Sequence, residues 1–172
     1  MAALIEAAKD RDCPFAVALA VSNVPDAPGL AAAEAAGVPT VALDHRGMAR
    51  EAFDALVEAE LHKARIERIA LAGYMRLLST GFVELWAGRI VNIHPSLLPK
   101  YKGLDTHARA IAAGDAVAGA SVHIVTAALD DGPVIDREEV PVLPGDTSET
   151  LAARVLEAEH RLYPRALAKW LA

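Results

Sequence analysis

The chain has 172 residues, with 17 Lys and Arg against 23 Asp and Glu and a net charge of −6 when His is neutral. That acidic balance excludes the basic stripe with which nucleic-acid-binding proteins neutralise phosphates. Its apolar share of 53% falls into short runs, and no uninterrupted stretch reaches the roughly 18 residues a membrane-spanning helix needs. The early acids Glu6 and Asp10 do not fit a secretory leader, and the single cysteine, Cys13, has no partner for an internal bridge, as expected of a cytoplasmic protein.

In chain order, the pattern predicts a helix over 2–9, a strand over 15–21, a helix over 29–36 stopped by Gly37, a strand over 39–43 and a helix over 48–64. Strands follow over 68–72 and 90–93, then a helix over 106–113 and strands over 121–126 and 133–140. A last helix covers 147–171, with Asp146, Thr147, Ser148 and Glu149 available as caps. Short apolar runs alternating with segments of helical period define an α/β fold, a single domain over 1–172 whose twisted, mainly parallel sheet carries helices on both faces. The chain opens in a helix with no strand ahead of it, although in open parallel sheets the first strand is commonly central and the turn after it binds phosphate.

Residues 89–99 read Arg-Ile-Val-Asn-Ile-His-Pro-Ser-Leu-Leu-Pro. Asn92 and His94 alternate at a strand end, so they project from one face at the carboxyl edge of the sheet, where open α/β sheets hold ligands. Pro95 and Pro99 stop regular structure and stiffen the loop over that edge. An isolated Asn-x-His reads as a turn former beside a satisfied polar residue. The continuation Lys100-Tyr101-Lys102-Gly103 and the acidic turn Leu129-Asp130-Asp131-Gly132-Pro133 add a carboxylate and point to acyl transfer onto an amine. In such a reaction an amide N–H and a protonated imidazole suit the developing oxyanion, while a carboxylate favours the charged ring.

The stretch Asn92-Ile93-His94-Pro95-Ser96-Leu97-Leu98-Pro99-Lys100-Tyr101-Lys102-Gly103-Leu104 resembles the signature of the phosphoribosylglycinamide formyltransferase family, folate-dependent enzymes of purine synthesis. Further matching segments are Ala70-Leu71-Ala72-Gly73-Tyr74-Met75-Arg76-Leu77-Leu78-Ser79, Ser121-Val122-His123, 129–135, and Glu159-His160 before Tyr163-Pro164, so nearly the whole chain is covered. The resemblance implies a Rossmann-like formyltransferase fold in which Asn92, His94 and Asp130 are catalytic, Asp130 favours the charged histidine and Asp131 is a bystander. It places the donor, 10-formyltetrahydrofolate, against Arg50, Met75, Arg76, Leu77, Leu78 and Asn92, and the glycinamide ribotide against Pro95 and Glu159, with no metal. Small molecules are thus the expected partners of a monomer or homodimer, without nucleic acid or membrane.

Physical readings of the same residues run alongside. Periodicity makes Met75, Leu77 and Leu78 core residues and Glu159 part of a solvated helix face, while Arg50 and Arg76 suit the folate's carboxylates. Ser121 and His123 alternate on one strand and suit support of the active histidine; Lys100, Lys102 and Arg109 suit either anionic reactants or plain surface charge. The family opens with a strand and a Gly-Ser-rich phosphate loop absent from this sequence, so the resemblance predicts about a dozen further N-terminal residues. Three rivals remain at this stage: another folate-dependent formyl enzyme such as a formyltetrahydrofolate hydrolase, a non-catalytic folate-binding module, and a zinc hydrolase built on His94, His107, His123 and Asp130, for which no metal-ligand spacing speaks.

Overall fold

The computed structural model describes Met1–Ala172. Helices α1 (Ala2–Ala7), α2 (Pro28–Ala35), α3 (Arg50–Lys63), α4 (Thr80–Leu85), α5 (Thr106–Ala112) and α6 (Ser148–Leu171) are interleaved with strands β1 (Ala20–Ser22), β2 (Thr40–Ala42), β3 (Ile69–Leu71), β4 (Ile90–His94), β5 (Val117–Ile124) and β6 (Val134–Pro141). β1 and β2 form a parallel pair, and β3, β4, β5 and β6 lie side by side in that order. The β3–β4 pairing is parallel, and the sheet then turns antiparallel through β5 and β6. The parallel character expected from strand-helix alternation holds for β1–β2 and β3–β4, each joined through a helix, whereas β4–β5 is antiparallel although α5 lies between them, and β5 and β6, joined directly by residues 125–133, are antiparallel as well.

α6 anchors the core. Thr147 accepts a hydrogen bond from Thr150 N–H and Thr150 Oγ1 accepts one from Thr147 N–H, a reciprocal cap that fixes the helix start. Leu151, Val155, Ala158, Leu162 and Ala166 recur at three- and four-residue spacing and are buried against Val91 of β4, Ala118, Ala120 and Val122 of β5 and Val140 of β6. Tyr163 extends the contact by donating its hydroxyl to the Leu71 carbonyl at 2.7 Å, tying the helix to β3.

Three elements differ from the sequence-based expectation. The strand expected over 15–21 begins only at Ala20, where β2 first offers a partner at Thr40; Phe15 and Val17 still turn toward the core without a ladder of their own. β1 pairs only with β2 and β3 only with β4, so each keeps one backbone edge free, while Leu19, Val21, Ile69 and Leu71 share one apolar cluster with Phe82 and Trp86. β5 begins at Val117 rather than 121, because the small residues Ala118, Gly119 and Ala120 read as a loop yet allow a close approach: a Cβ on Gly119 would sit 2.1 Å from the Glu138 carbonyl oxygen. α4, missed among the apolar residues after 79, starts at Ser79, whose side chain accepts from Phe82 N–H.

Leu162 is fully buried in the main cluster. Leu162→Ala should therefore lower the unfolding free energy by about 2–5 kcal/mol, read as a lower midpoint in equilibrium urea denaturation at unchanged slope.

Candidate active site

β4 delivers Asn92 and His94 to the carboxyl edge of the sheet, and the antiparallel neighbour β5 sets His123 opposite Asn92 and Ser121 opposite His94. An irregularity between Val122 and His123 shifts the β5–β6 register at this point, re-aiming the strand end beside the site. The turn after β5 then brings Asp130 back. Asp130 takes the left-handed conformation, φ 48°, and Gly132 lets the turn close tightly: a Cβ there would lie 1.8 Å from the Ile124 carbonyl oxygen.

Asp130 is the hub. Its Oδ2 accepts from Gly103 N–H at 3.0 Å and faces His94 Nδ1 at 3.4 Å, while Oδ1 stands 3.5 Å from His123 Nε2. His94 Nε2 lies 2.9 Å from the Tyr101 carbonyl oxygen, which can only accept, so Nε2 carries a proton and Nδ1 is the edge turned to the carboxylate. The His94 and Asp130 side chains are only 7% and 8% exposed, which shields this pair from solvent screening. By the same logic His123 Nδ1, 3.0 Å from the Ile124 carbonyl, carries its proton, and Nε2 is left to accept from Asn92 Nδ2 at 3.5 Å. Burial holds His123 below its ordinary value despite the opposing pull of the Ile124 carbonyl and Asp130, so its approach to Asp130 is that of a neutral ring rather than an ion pair.

The loop over the site is held from below. Ser121 Oγ donates to the Ser96 carbonyl at 2.7 Å and accepts from Leu98 N–H at 3.0 Å, while Arg137 donates to the Leu98 carbonyl at 2.7 Å. Ser96 Oγ donates to the Lys100 carbonyl at 2.6 Å. Tyr101 sits at φ 55° and donates its hydroxyl to Asp115 at 2.8 Å, and Lys100 pairs with the same carboxylate at 3.0 Å. The carbonyl that orients His94 is thus fixed by a left-handed residue whose side chain is pinned elsewhere.

Such an arrangement presents amide donor, imidazole and carboxylate together at one sheet edge. The formyl transferase family pattern matches residues 1–167. The chain belongs to the formyl transferase family. Among curated relatives of the family, the Escherichia coli phosphoribosylglycinamide formyltransferase is 44% identical over 171 residues, covering 99% of this chain and 80% of that protein. The trifunctional purine biosynthetic protein adenosine-3 of Gallus gallus is 47% identical over 166 residues; the match covers 96% of this chain but only 17% of that much longer relative. A crystal structure of phosphoribosylglycinamide formyltransferase from Brucella melitensis superposes with a TM-score of 0.94 at 50% identity, covering 100% of this chain and 89% of that one.

Within this family member the other candidate residues fall in distinct places. Met75 and Leu77 are 74% and 53% exposed, against the periodicity reading that made them core, and Leu78 is half-buried against the Phe82–Trp86 cluster. Arg50 is exposed at the first position of α3. Arg76, expected to reach toward carboxylates, turns inward instead, donating to the Met48 carbonyl at 3.0 Å with its guanidinium 5.2 Å from the Phe53 ring centre. Pro95 and Glu159 are half-buried, and burial pushes the Glu159 carboxyl up, unlike a solvated helix residue.

Asp131 faces outward and pairs with Lys102, Lys100 pairs with Asp115, and Arg109 of α5 donates to the Lys102 carbonyl, so all three cations are engaged by partners within the chain. Ser121 supports the loop rather than His94 itself. Tyr101 and Asp115 escaped the sequence reading, because only the fold joins a loop tyrosine to an acid after α5.

The neutral His123 makes a prediction about pH. Its folded-state value lies below the ordinary 6.5, so as pH falls through that range the unfolded chain binds a proton that the folded chain refuses, and stability is lost. His123→Gln should flatten this part of the stability-pH curve between about pH 7 and 5, measured by urea denaturation at each pH; an unchanged slope would show His123 to be charged in the fold.

Proposed function

We propose that this chain transfers the formyl group of 10-formyltetrahydrofolate to the amine of 5-phosphoribosylglycinamide in purine synthesis. The observation that carries this reading is the convergence of Asn92, His94 and Asp130 on one sheet edge, with His94 Nδ1 3.4 Å from Asp130. Family membership and relatives named phosphoribosylglycinamide formyltransferase support the substrate assignment. Both reactants are small molecules, the work is cytoplasmic, and no step needs a metal.

The amine lone pair attacks the formyl carbon, and the carbonyl π electrons move onto oxygen. Asn92 has two amide hydrogens; one points toward His123 Nε2, and the other serves the oxyanion. His94 Nδ1, 3.4 Å from Asp130, is the ring nitrogen that turns from the carboxylate to the oxyanion as the second donor. Collapse re-forms the carbonyl and breaks the bond to N10 of the folate. The proton shed by the amine reaches N10 through the His94–Asp130 pair, leaving formylglycinamide ribotide and tetrahydrofolate. No covalent intermediate with the protein forms.

For the donor, the exposed Met75 and Leu77 offer apolar surface to the heterocycle, and the exposed Arg50 suits the folate's carboxylates. The ribotide is assigned Glu159 and Pro95, both half-buried, by the resemblance to the family. Tetrahydrofolate should appear only when the ribotide is supplied along with formylfolate; formate release without ribotide would instead assign the chain as a hydrolase. Asn92→Ala should lower kcat by about 10²–10³ with an unchanged circular dichroism spectrum, and a near-parental rate would remove Asn92 from the oxyanion site.

A further inference from the structure

The segment 73–78 that bears Met75 and Leu77 has an unusual backbone. None of its N–H or C=O groups bonds to another backbone group, although it directly follows β3 and precedes α4. Unpaired backbone groups on an exposed segment are free to face a heterocycle, but they also leave the segment without internal support. Its support comes from α3.

Asp54 of α3 is 2% exposed, and its Oδ2 accepts from Ser79 N–H at 2.6 Å where the segment ends. Farther back, the Arg76–Met48 hydrogen bond and the packing of Arg76 over Phe53 hold its middle against the start of the same helix. A carboxylate buried this deeply is costly to keep, and its Oδ1, like the buried Tyr74 hydroxyl and Arg76 Nε, finds no partner in the chain. The Tyr74 hydroxyl is pushed up to about 12, first by burial and then by the Asp54 charge. The hydrogen bond that Asp54 does make is its grip on Ser79.

We propose that Asp54 is a positioning residue for the formyl donor, holding the 73–78 segment in the shape that receives the folate heterocycle while making no contact with the ribotide. This rests on the formyl-transfer reading above. Asp54 acts through the Ser79 amide and touches neither reactant.

The test compares the parent protein with Asp54→Asn and Asp54→Ala, using calorimetry to measure binding of tetrahydrofolate and, separately, of glycinamide ribotide. Asp54→Ala removes the acceptor and should weaken tetrahydrofolate binding about tenfold or more, the effect of one hydrogen bond to a charged group. Asp54→Asn keeps an acceptor oxygen and should fall between, a few-fold weaker. Ribotide affinity should stay within about twofold in both, a selectivity that general loss of stability does not produce. Should Asp54→Ala fail to fold, the selective loss in Asp54→Asn decides the matter. Parental tetrahydrofolate affinity in the variants, or equal loss for both ligands, overturns the positioning role alone; a parent protein that binds no tetrahydrofolate overturns the formyl-transfer reading as well.

Discussion

The antiparallel pairing of β4 with β5 places Asn92 opposite His123 and His94 opposite Ser121, and the rest of the site follows from that register. A slip of one residue would turn every side chain of β4 to the other face. The register is held by burial on both strands: Val91, Ala120 and Val122 are fully enclosed under the apolar face of α6, and Ile90 is enclosed on the other side against Leu61, Phe82 and Trp86. Catalytic alternation and core alternation are thus one pattern. The same β5 that completes the core leads into the turn that returns Asp130 to the end of β4.

Around this centre the protein buries polar groups and satisfies them from loop backbone. His94 and His123 each give one ring N–H to a carbonyl, of Tyr101 and Ile124 respectively, which fixes the tautomers and aims the remaining nitrogens at Asp130 and Asn92. Ser121 and Arg137 hold the 95–99 loop, and Asp115 holds Tyr101. Hydrogen bonds of this kind contribute modestly to stability one by one, but an unmet buried donor or acceptor costs more than a met one gains. The result is a rigid centre whose protons have defined places before any reactant arrives.

The donor side is built differently. Exposed apolar side chains on a segment without backbone pairing are unfavourable unless a ligand covers them, and here the segment follows β3, whose Leu71 stands opposite Asn92. α3 supplies the stiffness that the segment lacks, through Arg76, Phe53 and Asp54. Rigid histidines on one side and an exposed, side-chain-anchored shelf on the other suit a reaction that must align two small molecules without covalent help.

Much of this was legible in the amino-acid order. Strand-helix alternation yields the α/β class, Asn92 and His94 at two-residue spacing yield their common face, and the acidic turn before Gly132-Pro133 yields a carboxylate, which the family resemblance rather than the turn assigns to Asp130. These are local properties, set by side-chain periodicity and turn chemistry. Tertiary structure alone decided that β5 would reach back to Val117, that Arg76 would turn inward, that Met75 and Leu77 would be exposed, and that Asp115 would fix Tyr101. Each of those outcomes depends on which distant backbone stands beside the residue. Periodicity describes a chain against one flat interface, whereas burial and hydrogen-bond partners are settled by long-range packing that no short stretch of sequence encodes.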